Sequence, residues 1–315
     1  MSRNRRDRRK SRGQVFFITG RVRKGLPFVA RESVKRVLLG ILSRAQGFYP
    51  VQICAFVFMG NHYHIIITGQ SVHISPFMNY VQGEIAKAMQ KLIPGVYKGW
   101  FWEGRFKEQI LVTAEDVIEK MGYIYLNPVR ARLVNRVQEY PVLNSYSYLR
   151  RGKLSFLSKW IPSSQLSGLP ERYNRKEDLK LTASFLKLSP STELLTIDPF
   201  AWFPSLNEEL NKEQVTERLL QWVAQEEDKL MSNPVLGVAS LIAQTLRKEF
   251  TPGAKDYTPY LICCDSALRK LEILSYREFC QACREAWELL KRGLSYIWPN
   301  GAYRPSMRWR PLLVG

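Results

Sequence analysis

Apolar and polar positions follow one another through the first half of the chain in patterns that predict a definite series of elements. Val15 to Val22 reads as a strand, and Arg31 to Ala45 places Val34, Val37, Leu38, Ile41 and Leu42 at helical spacing. Two runs rich in β-branched and aromatic residues, Val51 to Phe58 and His62 to Thr68, flank a Gly60-Asn61 turn and predict a hairpin. Ser75 to Leu92 predicts a second amphipathic helix closed by Pro94-Gly95, and Lys107 to Val112 a further strand. A third helix follows, with Thr113 as N-cap, Asp116 completing a capping box, and Val117, Met121 and Ile124 as its buried stripe. Asp116, Lys120, Tyr123 and Asn127 share the neighbouring polar stripe, and Pro128 is expected to end the helix near Asn127. Strand, helix, strand, strand, helix, strand is the order of an α+β, ferredoxin-like split βαβ sandwich.

Beyond this core the pattern changes. Pro141, Pro162, Pro170, Pro190, Pro199 and Pro204 punctuate an irregular stretch, so residues 153–205 are expected to be a linker region. Residues 206–315 read as a mainly helical accessory domain with its own core. One helix is expected over about Glu208 to Leu230, with Leu219, Leu220, Trp222 and Val223 on its apolar side. A second is expected after Asn233, with Pro234 at its first position. A third is expected from Ser275, capped with Glu278 and burying Phe279, Cys283, Trp287 and Leu290.

Charge divides the chain in the same way. Residues 1–153 hold 26 Lys and Arg against 9 Asp and Glu, which places nearly all of the net charge of +19 there. A polyanion is the expected partner of that half, and nucleic acid leads. Arg3, Arg5, Arg6, Arg8, Arg9, Lys10 and Arg12 make residues 1–13 a basic arm suited to phosphates. Five cysteines, an odd number, argue against a disulfide framework and fit a reducing cytoplasm. The adjacent pair Cys263-Cys264 lacks the spacing that zinc chelation prefers. No apolar run approaches the roughly 18 residues of a membrane span. A cytoplasmic, nucleoid-associated protein is expected.

The chain has only 3 His, and two of them stand two residues apart in the second hairpin strand. His62 and His64 therefore leave one face of the sheet while Tyr63 points to the other, which offers two imidazoles to one metal ion. Tyr123 and Asn127 are likewise one turn apart on one helix face.

Three stretches together resemble a known family. Met59-Gly60-Asn61-His62-Tyr63-His64 resembles the histidine-hydrophobe-histidine (HUH) motif of single-tyrosine transposases. Tyr123 to Ala131 resembles the Tyr-Ile-x-x-Asn-Pro-Val-Arg-Ala signature of the REP-associated tyrosine transposases, and Trp102 to Lys107 resembles their Trp-x-x-Arg-Phe-Lys stretch. The likeness covers roughly residues 14–152. Two positions depart from it: Gly60 stands where Pro is common, and Phe16-Phe17-Ile18 where a His is frequent.

The resemblance implies a nuclease and strand transferase over 14–152, with the histidines on a central strand and the tyrosine on a helix packed nearby. His62, His64 and Asn127 would hold a divalent cation, and two imidazoles with one amide suit Mg²⁺ or Mn²⁺. Tyr123 would attack a phosphodiester, leaving a covalent 5′-phosphotyrosine and a free 3′-hydroxyl. Lys120, one turn back, would support a phenol whose ordinary pKa of about 10 makes it a weak nucleophile. Tyr125, turned about 200° away on the helix, is not the expected nucleophile. The implied substrate is single-stranded DNA, a hairpin-forming repeat element with a short flanking recognition sequence. Arg21, Arg23, Arg105, Lys107, Arg130 and Arg132 are candidate phosphate contacts, and Trp100, Trp102 and Phe106 candidate base-stacking residues. The protein would be a monomer or a homodimer, since related dimers exchange tyrosine helices whereas the C-terminal half here can cap that surface. A regulator that binds repeats or hairpins without cutting would keep the basic surface but has no need of His62, His64, Tyr123 and Asn127. A rolling-circle replication initiator or relaxase shares the chemistry, but the Asn-Pro-Val-Arg-Ala run and the lack of a helicase motif stand against it.

Overall fold

The computed structural model describes residues 14–25, 27–95, 99–151, 155–206, 210–244, 259–299 and 302. Strands β1 (Gln14–Arg21), β2 (Val51–Met59), β3 (His62–Gly69) and β4 (Lys107–Leu111) alternate with helices α1 (Glu32–Phe48) and α2 (Ser71–Leu92). The strands pair antiparallel in the order β2-β3-β1-β4, the split βαβ arrangement expected from the pattern. Met59 pairs with His62 across the Gly60-Asn61 turn, which fixes the register of the hairpin.

Strand alternation sorts the apolar residues into two cores. Phe16, Ile18, Ile65 and Ile67 face α1 and α2 and join their buried sides in one cluster. Val15, Phe17, Val57 and Ile66 face the other way, under α3 (Ala114–Arg130). The Thr113 capping box is formed: the hydroxyl accepts from Asp116 N at 3.2 Å, and Asp116 Oδ2 accepts from Thr113 N at 2.9 Å. The helix does not stop at Asn127. It continues through Pro128 to Arg130, and the N–H of Ala131 still reaches Asn127 O at 2.9 Å. In the last turn a proline forfeits one hydrogen bond, and burial of Leu126, Pro128 and Val129 outweighs that loss.

The described residues 155–205 do not form a linker. After α4 (Tyr146–Arg151), β5 (Ser155–Trp160) and β6 (Ser191–Thr196) form an antiparallel hairpin with α5 (Arg175–Lys187) between them. This unit packs on α1, where a Cβ at Gly40 would collide with the Lys159 carbonyl. Asp178 fastens it further by accepting from Glu32 N at 2.7 Å. Phe185, Leu195 and Ile197 enter the α1–α2 core, and Pro190 directly precedes β6.

Among the described residues of 206–315, those of α6 (Lys212–Leu230) join the second core of the sheet instead of building a separate one. Val215, Leu219 and Val223 of this helix pack with α3 there, and Trp222 lies where a Cβ on Gly122 would stand. The next helix, α7 (Val238–Ala243), opens at Gly237 and not at Pro234. A short strand, β7 (Leu261–Ile262), joins the open edge of β4 in parallel. Helix α8 (Ser266–Lys291) starts well before Ser275, because Asp265 accepts from Ala267 N at 2.8 Å and Leu268 N at 2.9 Å and so caps it earlier. Among the described residues, no helix is long and apolar enough to cross a membrane.

Candidate active site

The α3 face of the sheet is apolar at one end and polar at the other. Across it, Lys107, Thr19, His64 and Val57 form one row of paired residues, and Arg21, His62 and Met59 form the next. Directly paired residues point to the same side, so both imidazoles, Arg21 and Lys107 face α3. Tyr63 points into the opposite core.

Each imidazole is oriented by a neighbour. His64 stacks on Phe17, with centroids 5.4 Å apart and planes 8° apart. His62 Nδ1 shares a hydrogen with Asn61 Oδ1 at 2.8 Å, which leaves Nε2 for another role. The two rings lie 5.0 Å apart. Burial, with Arg21 adding repulsion, lowers His62 to about 4. Burial foremost, then His62 and Lys120, lowers His64 in the same direction. Both are therefore neutral near pH 7, the form that ligates a metal.

Helix α3 brings the remaining candidates. The Tyr123 ring meets His64 edge-on at 5.3 Å and Phe17 at 6.0 Å. Lys120 Nζ stands 5.4 Å from the Tyr123 ring and 5.9 Å from that of Phe17. Two turns beyond Tyr123, Ala131 lines the same cavity as His62. Asn127 lies between these two points of approach and is only 8% exposed. Tyr125 faces away and is fully buried, with its ring 5.4 Å from Tyr146.

His62 and His64 offer two neutral imidazoles, a donor pair of the kind that divalent cations accept. Among the described residues no group of three or more His, Cys, Asp or Glu side chains is suited to a metal. His64 Nδ1 is buried with no hydrogen-bond partner, as a nitrogen reserved for a ligand would be.

The proposed phosphate contacts divide. Arg105 and Lys107 are exposed, as are Arg23 and Arg132. Arg21 lies 3.8 Å from Glu103, and Arg130 is drawn to Glu226 of α6 at 3.0 Å. Arg3, Arg5, Arg6, Arg8, Arg9, Lys10 and Arg12 lie outside the described residues. Of the aromatics, Trp100 is 80% exposed, whereas Phe106 is buried and Trp102 is committed to the fold through Nε1 donating to Gln82 O at 2.9 Å. Sequence reasoning missed Phe17 and Asn61. The first needs strand register to be seen; the second stands beside His62, and its short amide was a usable signal.

Residues 21–125 match the model of the family described as IS200-like transposases. The matched stretch contains His62, His64, Lys120 and Tyr123, and Asn127 lies just past its end. The match supports a transposase-like, DNA-processing function for this part of the chain. A solved REP-associated tyrosine transposase bound to a REP hairpin aligns at 22% identity over 48% of this chain and 87% of that one, with a TM-score of 0.40. A crystal structure of a putative transposase from Deinococcus radiodurans aligns at 18% identity over 39% and 95% of the two chains, with a TM-score of 0.27. No curated protein matches the chain.

Proposed function

We propose that this chain is a metal-dependent endonuclease and strand transferase for single-stranded DNA, acting through Tyr123 at hairpin-forming repeats. The observation that carries this reading is the meeting of Tyr123, from a helix, with His64, from a strand, 5.3 Å apart and beside Lys120. When bound by His62, His64 and Asn127, a divalent cation supplies Lewis-acid polarisation of the phosphate's non-bridging oxygens.

The chain's own residues do the rest. The Tyr123 oxygen forms a bond to phosphorus while its proton leaves to water, and the bond from phosphorus to the 3′ oxygen breaks. That oxygen takes up a proton and departs as a 3′-hydroxyl, leaving a 5′-phosphotyrosine. Attack by another 3′-hydroxyl reverses the step and joins two ends, with the phosphodiester energy conserved in the tyrosyl link. The Lys120 ammonium stabilises the phenolate as it forms. Phe17 holds His64 by stacking and Asn61 holds His62 by a hydrogen bond, so neither imidazole reorients when a phosphate arrives. Arg23, Arg105 and Lys107 contact flanking phosphates. Hairpin DNA as the partner is supported by the basic N-terminal half and by what the similar solved transposase binds.

The test is cleavage of single-stranded hairpin oligonucleotides taken from DNA flanking the gene, with Mn²⁺ or Mg²⁺, beside duplex controls. Nicking of the single strand that stops on chelation is expected. Tight binding with no nicking under any metal would replace this reading with that of a non-cleaving hairpin-binding regulator.

A further inference from the structure

A cavity of about 210 Å³ opens beside His62. Its apolar lining includes Met59 from β2, Leu133 from the chain after α3, Leu241 from α7, and Phe28. Asn61 and Gln244 stand at its lining as well. Helix α7 is held there by backbone hydrogen bonds from Leu236 N to Arg132 O at 2.9 Å and from Gly237 N to Leu133 O at 3.0 Å. Arg132, at φ 58°, provides the left-handed turn that sends the chain along this course. One wall of a cavity touching a candidate metal ligand thus comes from beyond residue 205, in the half of the chain that the nuclease reading leaves without a task.

We propose that this cavity receives one nucleobase, from a nucleotide adjoining the phosphate that Tyr123 attacks. The assignment rests on the reading of the site as a single-stranded DNA nuclease, and it gives α7 the task of sensing sequence at the cut. Its size is below the roughly 300–1,000 Å³ of pockets that take drug-sized ligands, which suits a single planar ring system. Apolar walls match the faces of a base, and the Asn61 and Gln244 amides match its polar edge. Asn61 Oδ1 is already engaged by His62 at 2.8 Å, so that amide offers its N–H groups to a base acceptor. Gln244 offers both a donor and an acceptor. A phosphate held at His62 and His64 keeps the neighbouring sugar next to the opening, and a base in a single strand is the least hindered from turning into such a pocket.

The experiment uses the full chain and a DNA hairpin with a short single-stranded flank, selected for tight binding from a library with a randomised flank. Each flank nucleotide is replaced in turn by an abasic residue, and affinity is measured by fluorescence anisotropy for the native protein, Leu241→Trp and Gln244→Ala. One abasic position should weaken native binding about tenfold, the loss of a single stacked base. Leu241→Trp fills the cavity and should weaken binding to the intact flank by a similar factor, with no further loss on the abasic probe. Gln244→Ala, at a half-buried position that leaves the fold intact, should flatten the preference among the four bases at that position. Losses that multiply, indifference to every abasic position, or variants that bind and discriminate as the native protein does would each overturn the assignment. Covalent cleavage without this coupling removes the pocket and keeps the nuclease. Coupling without any covalent product keeps the pocket and removes the nuclease.

Discussion

Tyr63 and His64 are neighbours in β3, and the pleat sends them into different surroundings. On the α1–α2 side Tyr63 is 2% exposed, accepts from Gln82 Nε2 at 3.1 Å and meets the Trp102 ring edge-on. Burial pushes its phenol up, away from any use as a nucleophile. On the α3 side His64 keeps Nδ1 without a partner, and the tyrosine it faces, Tyr123, is partly exposed beside a lysine. On the α1–α2 side the buried Tyr63 hydroxyl thus has a protein partner. The α3 side, at its polar end, holds groups in place and leaves them available, and that difference marks a site more surely than residue type does.

The largest effect should come from the available groups. His64→Ala is expected to lower metal-dependent cleavage by about 10²-fold or more, several kcal/mol of lost transition-state stabilisation. Its urea midpoint should also fall, because a buried ring stacked on Phe17 is removed, so cleavage is compared under conditions where both proteins are folded. A fully active His64→Ala protein would put the chemistry elsewhere. Next, Gly122→Val should destabilise the fold by about 1–3 kcal/mol, because its side chain enters the space of the Trp222 ring. Trp222→Ala in the same chain should recover part of that loss, as read by urea unfolding; no recovery would mean that the α3–α6 contact is not the cause.

Lys120→Met should slow cleavage about tenfold at unchanged stability, a loss of about 1.4 kcal/mol. Equal rates for the two proteins would remove Lys120 from the mechanism. The smallest effect belongs to the satisfied side. Tyr63→Phe should lower stability by about 0.5–1.5 kcal/mol, the range for one buried hydrogen bond, and leave cleavage as it was. A Tyr63→Phe protein that folds normally but fails to cut would erase the distinction between the two faces.

Much of this arrangement was legible in the sequence. Periodicity located β1 through β4 and the helices between them, and the period of two put His62 and His64 together. The Thr113 capping box marked the start of α3, and a spacing of four put Tyr123 and Asn127 on one of its faces. What escaped depends on contacts distant in sequence. The two residues of β7 become a strand only because β4 has an open edge. The hairpin of β5 and β6 is hidden in the sequence because prolines punctuate it and its support, α1, lies far away along the chain. The local preference of Pro128 for ending a helix is overridden by the burial around it. Leu241 and Gln244 carry no motif at all, and only the docking of α7 beyond α3 brings them to His62.

The central claim is that Tyr123 becomes covalently joined to DNA at the face where His62 and His64 meet it. The direct measurement is a denaturing gel of native protein and Tyr123→Phe, each incubated with 5′- or 3′-labelled single-stranded hairpin DNA and Mn²⁺. The account predicts a metal-dependent adduct carrying the label of the 3′ fragment, a free 3′-hydroxyl on the other fragment, and no adduct with Tyr123→Phe. An adduct that persists in Tyr123→Phe, or cleavage by the native protein that leaves no protein attached to DNA, would contradict it.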